Sequence, residues 1–560
     1  MLQYLKTGAT PGKGRRAMTR AARCIVALLA MAYTTGPAPA QSVGGEVSGA
    51  GRVRFRISCD EAVRADFDRA VAFLHSFEYP ESEKAFRAIL KKSPDCAMAR
   101  WGIAMSLWHP LWAPPHRTNL IAGMAVLKGA GDAARTKREA AYLSAIEAFY
   151  DGHDEIAHSK RANAYSDRME SLYRANLDDP EAAVFYALSL LAAADPTDKS
   201  YAKQFKAAGL LNWVRNDQPH HPGVLHYLLH SYDFPGLAHL ALPAAQIYAE
   251  VAPASTHAQH MPSHIFTRLG LWERSLASNH DSTASAEHYT EQAKLPGYYD
   301  EGMHSMDYLL YALLQTARDE EAHRHLEALA NIGKVSAENF KVAYTYAAAP
   351  ARYALERRQW TEASAIKLAP EDFPWEEFPW ARSIVHFARG IGAARSQKLG
   401  VARAELTVLR EIRDSLDAAT LPYWREEVFV HADAVESWIA LGEGAKERAL
   451  QLARAAADRE DAVDKHPVTP GETIPARELL ADLLMELDRS EDALSEYQEV
   501  LRSSPNRLNT MLGAARAASR LGRRALARSY YSRALEQAEP GNDERLSLRE
   551  ARAATSDKQR

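Results

Sequence analysis

FDRAVAFLHSFEYPESEKAFRAILKKSPD, residues 67–95, reads as a helix, a tight turn, a second helix and a breaking Pro94. Trp101-Gly102-Ile103-Ala104 opens the next unit, with Trp108 a helical step further along the same face. The same grammar returns at 178–194, 222–253, 258–290, 303–332, 341–368, 380–412 and 425–457. It is clearest at 475–506 and closes with a unit from about Leu508 to Ala538. Gly270, Gly442 and Gly522 fall where the interhelical turns are expected, since glycine tolerates turn backbones.

A helix pair repeated at about 34 residues, with Phe86, Ala88 and Pro94 near consensus positions, is the grammar of the tetratricopeptide repeat. The fold expected is therefore all-α, a right-handed solenoid of antiparallel helix pairs in which each unit buries its neighbour's apolar face. Abundant alanine and scarce β-branched runs agree with helix throughout. At 560 residues, 47% hydrophobic and 25% charged, the chain is too long for one compact core and ordinary for a soluble protein. The solenoid is expected over 59–540, with a flexible linker at 41–58 and a charged tail at 541–560 that frays or caps the last helix. Two stretches break the grammar: WHPLWAPPHRTNL (108–120) and the long polar connection EDAVDKHPVTPGETIP (460–475). Connections of that length are often functional.

Residues 1–40 carry Lys6, Lys13, Arg15, Arg16, Arg20 and Arg23 and no acid, then an apolar stretch Cys24–Tyr33 and Ala38-Pro39-Ala40. That is the pattern of a secretory signal peptide cleaved near Ala40, and it predicts a periplasmic protein. The apolar stretch is too short for a membrane span, and no later segment qualifies. Removing those six cations takes the formal charge from -4 to -10, an acidity that argues against nucleic acid as a partner. Cys59 and Cys96 remain, and in an oxidising compartment they are expected to pair, two free thiols being the alternative. No nucleotide-binding fingerprint, P-loop, nucleophile elbow or H-E-x-x-H is present.

Several stretches resemble a bacterial family of exported tetratricopeptide-repeat proteins. They are LHSFEYPESEKAFRAIL, PDCAMARWGIAMS, HPLWAPP, HPGVLHYLLHSYD, HAQHMPSHIFTRLGLW, ARYALERRQW, EDAVDKHPVTPG and PARELLADLL. The likeness runs from about Cys59 to Leu535, and HAQHMPSHIF and DKHPVTPG are its specific parts. It implies a helical solenoid and an exported location, and supplies no reaction.

The chemistry-bearing pattern is histidine. His226 and His230 stand one helical turn apart, and His260 and His264 repeat that spacing 34 residues later. In a solenoid the two pairs lie on the first helices of adjacent units, so four imidazoles are expected in one patch. Pro262 suits a first helical turn, placing His257 and His260 at its entrance. Aligning the next unit through Ala317 and Gly270 sets His304 on His257, Asp307 on His260 and Tyr311 on His264. The ligand set read from the sequence is His226, His230, His257, His260, His264, His304 and Asp307, for one or two ions of Cu, Zn or Fe. His466 is a candidate to complete the shell if its connection reaches the patch, a capped, proline-stiffened turn being the commoner role. The central repeats, 220–311, would then handle metal or act on a peptide, protein or small ligand in the concave groove. The alternative is a scaffold that binds a protein or peptide without metal.

Overall fold

The computed structural model describes residues 49–111, 114–417, 421–538 and 545–556. Helix follows helix through all of them, and among these residues the only β-type pairing is a single bridge between Tyr298 and Val335. No described helix is long and apolar enough to cross a membrane.

Eight helix pairs share one turn geometry. Phe77, Gly270, Ala317, Arg358, Gln397, Gly444, Asp488 and Gly522 all have positive φ, each two residues past one helix and two before the next. A left-handed residue there satisfies the last carbonyls of the first helix and reverses the chain. Gly270 and Gly522 sit where the sequence placed them, whereas the turn expected at Gly442 falls at Gly444, because the helix Pro422–Gly442 runs through that glycine. Gly270 has a second reason to be glycine: a Cβ there would lie 2.2 Å from the carbonyl oxygen of Pro505.

That contact belongs to a closure of the array on itself. Trp272 Nε1 donates to the Asn506 carbonyl at 2.9 Å, Gln537 Nε2 to the Gln315 carbonyl at 2.7 Å, and Arg545 Nε to Asp319 at 2.8 Å. Arg545 leads into the helix Leu546–Ser556, whose Leu548 and Ala551 are buried, so this part of the charged tail caps the solenoid. Apolar packing forms two bodies, one from Ala50 to Phe266 and one from Trp272 to Ala551. The histidine-bearing helices lie at the seam.

The flexible linker expected at 41–58 needs correction over its second half; residues 41–48 lie outside the described ones, as do the leader and Trp112. Val53, Phe55 and Ile57 are buried while Arg52, Arg54 and Arg56 face out. That period-two alternation is a packing signal the glycines at 44–51 obscured. Phe55 sits 5.3 Å from Trp101 and 5.2 Å from Tyr142, ring centre to ring centre. Cys59 and Cys96 are joined in a disulfide, which ties this segment to the second repeat.

Candidate metal centre

The helix Pro222–Tyr232 carries His226 and His230, the short helix Thr256–His260 carries His257 and His260, Pro262–Arg268 carries His264, and Asp300–Gln315 carries His304. Pro262 does open its helix, which turns the chain between His260 and His264 without losing a needed backbone donor. All six imidazoles are buried.

The six lie in one contiguous patch but do not form a single cluster. They sort into two triads, His226–His230–His257 and His260–His264–His304, each with three donor atoms mutually within 4.8 Å. The i,i+4 pair of one unit is completed by the leading histidine of the next, and the rule applies twice. The triads are neighbours, with ring centres 6.3 Å apart at both His257–His260 and His230–His264.

Proton positions give the triads their character. His226 Nδ1–H donates to the His75 carbonyl at 2.6 Å, which can only accept. His257 Nδ1 lies 3.2 Å from Glu301, and His264 Nδ1 2.9 Å from Asp233, both carboxylates. His260 Nδ1 meets Asn279 Oδ1 at 2.7 Å, while Asn279 Nδ2 donates to the Ser275 carbonyl. With the proton fixed on Nδ1, each Nε2 is a lone pair. Yet His226 Nε2 stands 3.1 Å from His230 Nε2 and 3.2 Å from His257 Nε2, and His260 Nε2 stands 3.0 Å from His264 Nε2. Protonation is a poor remedy. Burial first, and neighbouring imidazoles second, push His226, His230, His260 and His304 well below the usual imidazole range, and burial takes His264 to about 4.

A transition metal fits this arrangement. Nitrogens bound at about 2.0–2.1 Å around a tetrahedral ion lie roughly 3.3 Å apart, close to the spacings found. Imidazoles that point Nε2 inward and hand Nδ1–H to a carboxylate or carbonyl are the usual orientation of metal-ligating histidines. Aromatic rings cover both sets: Phe77 lies 4.4 Å from His226 and 5.4 Å from His257, and Tyr308 lies 4.7 Å from both His260 and His264.

Asp307, expected among the ligands, lies in neither triad. Its Oδ1 faces Arg352 Nε at 3.3 Å, a fully buried guanidinium that also holds the carbonyls of Gly471 and Glu472. Tyr311 is likewise taken, accepting from Arg507 at 3.0 Å. The histidine series therefore ends at His304, and the donor sets are all imidazole.

The connection 460–475 does cross the site, by different residues from those expected. Lys465 Nζ reaches Asp233 at 3.2 Å, and Tyr308 OH donates to the Thr469 carbonyl at 2.9 Å. His466 instead accepts from Val468 N–H and packs among Trp424, Tyr423 and Phe340. Glu301, Asp233 and Asn279, which orient the ligands, were missed by the sequence reading. Only Asp233 left a trace there, one helical step after His230.

His75, Glu181 and His221 make a third cluster of metal-like spacing. His221 Nδ1 accepts from Val224 N–H, so its Nε2–H donates to Glu181 at 2.8 Å, and His75 Nε2 meets the other carboxylate oxygen at 3.0 Å. Burial would raise Glu181, but His221 and His75 outweigh it and hold the group at about 2. Every atom here already has its hydrogen-bond counterpart.

A family model described as "Tetratricopeptide repeat" matches residues 67–109 and 478–543. Helix pairs at both ends of the solenoid thus match the tetratricopeptide repeat. No curated protein matches the chain significantly in sequence. Among solved structures, the P58(IPK) TPR domain is similar at 16% identity, covering 68% of this chain and 100% of its own, with a TM-score of 0.21. A monomeric IFIT1 mutant with Gppp-AAAA is 12% identical, covering 88% and 99%, at 0.38. The human IFIT1 dimer with m7Gppp-AAAA is also 12% identical, covering 87% and 98%, at 0.37. These last two correct one expectation. Both IFIT1 structures carry capped oligonucleotides, against the expectation that nucleic acid is excluded, and a net charge is in any case a sum, not the potential of any one surface. The architecture is one able to bind a protein or another ligand in its groove.

Proposed function

We propose that the protein holds two transition-metal ions, one in each imidazole triad, for metal handling or for a metal-dependent reaction. The observation that carries this reading is a pair of Nε2-to-Nε2 contacts, His226–His257 at 3.2 Å and His260–His264 at 3.0 Å, between rings whose protons are committed to Nδ1. With Asp307 withdrawn, the all-nitrogen donor sets favour copper or zinc over iron. A bound ion with an open fourth position would supply Lewis acidity or, if copper, a redox couple. The chain's own part is to orient the ligands through Asp233, Glu301, Asn279 and the His75 carbonyl. We further propose export to the periplasm with residues 1–40 as the leader, supported by their composition and by the Cys59–Cys96 disulfide.

A second reading is a scaffold for a protein or peptide, which the repeat architecture itself favours. Metal analysis of protein purified without a His-tag, followed by titration with Cu(II), Zn(II) and Fe(II), separates them. The metal reading expects two tightly held equivalents; no metal as isolated and no uptake on titration would leave the scaffold reading standing.

A further inference from the structure

A cavity of about 530 Å³ adjoins the first triad. Phe77 and Glu301 belong to its wall, and these two residues also touch the imidazoles, Phe77 over His226 and His257, and Glu301 at His257 Nδ1. Its lining is unusually ring-rich: Phe77, Tyr79, Pro115, Tyr299, Phe340 and Phe378. Phe77 holds the positive-φ turn position that glycine, alanine or a polar residue fills in the other repeats, a costly place for a bulky aromatic. Something other than the turn favours a ring there.

The cavity's charges are one-sided. Asp300, Glu301, Glu338 and Glu377 face it, against the single ammonium of Lys341. Lys341 Nζ is pinned between Asp300, at 2.7 Å, and Glu301. His109, stacked on Tyr79, is pushed by burial to about 4 and stays neutral. His116 turns a ring nitrogen to Thr118 N–H to cap the next helix. Glu338 and Glu377 remain exposed at the mouth.

We infer that this cavity binds a small cationic aromatic molecule, an arylalkylamine in class, with its ring among the aromatics and its ammonium at the acidic mouth. Aromatic faces and carboxylates both attract such a cation, whereas an arylalkanoate of the same size meets only repulsion at the mouth. The pocket stands on its own lining; its placement against a metal rests on the reading above. Phe77 and Glu301 then separate the bound ring from the first triad by one layer of side chain.

Calorimetry on the full chain, metal-free and copper-loaded, with tryptamine and indole-3-acetate as probes, tests the inference. Tryptamine is expected to bind at least about tenfold more tightly than indole-3-acetate. Glu338→Gln with Glu377→Gln, both exposed, should erase most of that preference, and Ala337→Trp, filling the cavity from an exposed position, should abolish binding with helicity unchanged. No binding, equal binding of both probes, or binding indifferent to Ala337→Trp overturns the pocket. If copper is never taken up, the metal reading fails and the pocket is still judged by the probes. If copper binds and its electron paramagnetic spectrum ignores tryptamine, the placement beside the first triad is overturned.

Discussion

His226–His230–His257 and His75–Glu181–His221 lie within one wall of the same solenoid, joined through the His75 carbonyl, and both bring three donor atoms within 4.8 Å. Spacing does not distinguish them; proton placement does. In the second cluster the imidazoles turn N–H groups toward a carboxylate, and each donor meets an acceptor within the cluster. In the first, the His226 and His257 acceptors face each other at 3.2 Å, an arrangement that costs free energy until a cation stands between them. The carboxylates Glu427, Glu460 and Glu472 pose the same problem near the 460–475 connection, and there Glu427 answers it by keeping its proton: burial and the Glu472 charge push it up to about 8.

Removing an imidazole from a triad should have the largest effect. His226→Ala and His260→Ala are each expected to lose one of two metal equivalents, and together both, by mass spectrometry of untagged protein with circular dichroism unchanged. His75→Ala keeps the backbone carbonyl that His226 needs, so it should keep both equivalents. A variant at His75 that loses metal as His226→Ala does would break the distinction between the clusters.

How far this contrast was readable depends on the residue. The i,i+4 pairs and their repeat spacing placed four of the six clustered imidazoles, because local helical geometry and the 34-residue period fix them, and Pro262 and the Ala317 alignment pointed to His257 and His304. The division into two triads was not readable, since it depends on which neighbouring helix completes each pair. Asp307 was misassigned for a related reason: its partner Arg352 lies 45 residues away, and no local pattern marks the pair. Glu301, Asn279 and Lys465 were silent, being defined only by contacts that the closed array creates.

The orienting groups give the next effect. Glu301→Gln should weaken metal binding at the first triad and Asp233→Asn at the second, each about 10–100-fold, by competition with a chelator of known affinity. An equal loss at both sites from either change would mean that the triads act as one site.

Glu181→Gln tests the self-satisfied cluster. An amide presents N–H to one of two N–H donors, so a cost of about 1–3 kcal/mol is expected in urea unfolding, with metal content unchanged. Stability at the parent level would show that the carboxylate is not what satisfies these donors.

The smallest effect is expected at Glu427. Its folded-state affinity for a proton exceeds that of the unfolded chain, which titrates near 4.5, so folding binds a proton between about pH 4.5 and 8 and stability falls as pH rises across that window. Glu427→Gln should therefore be neutral at pH 4 and progressively stabilising as the pH rises toward 8. A gain that grows toward acid would reverse the assignment.

Lys465 meets Asp233 from 232 positions along the chain, and Tyr308 is held by Thr469 from 161. The chain emerges from its N-terminus, so the histidine-bearing units appear before the segment that lies across them. The site is thus open early in the life of the molecule and fastened late, which makes the order of filling and closing part of its chemistry. A chain released before residue 460 would display its imidazoles without their strap.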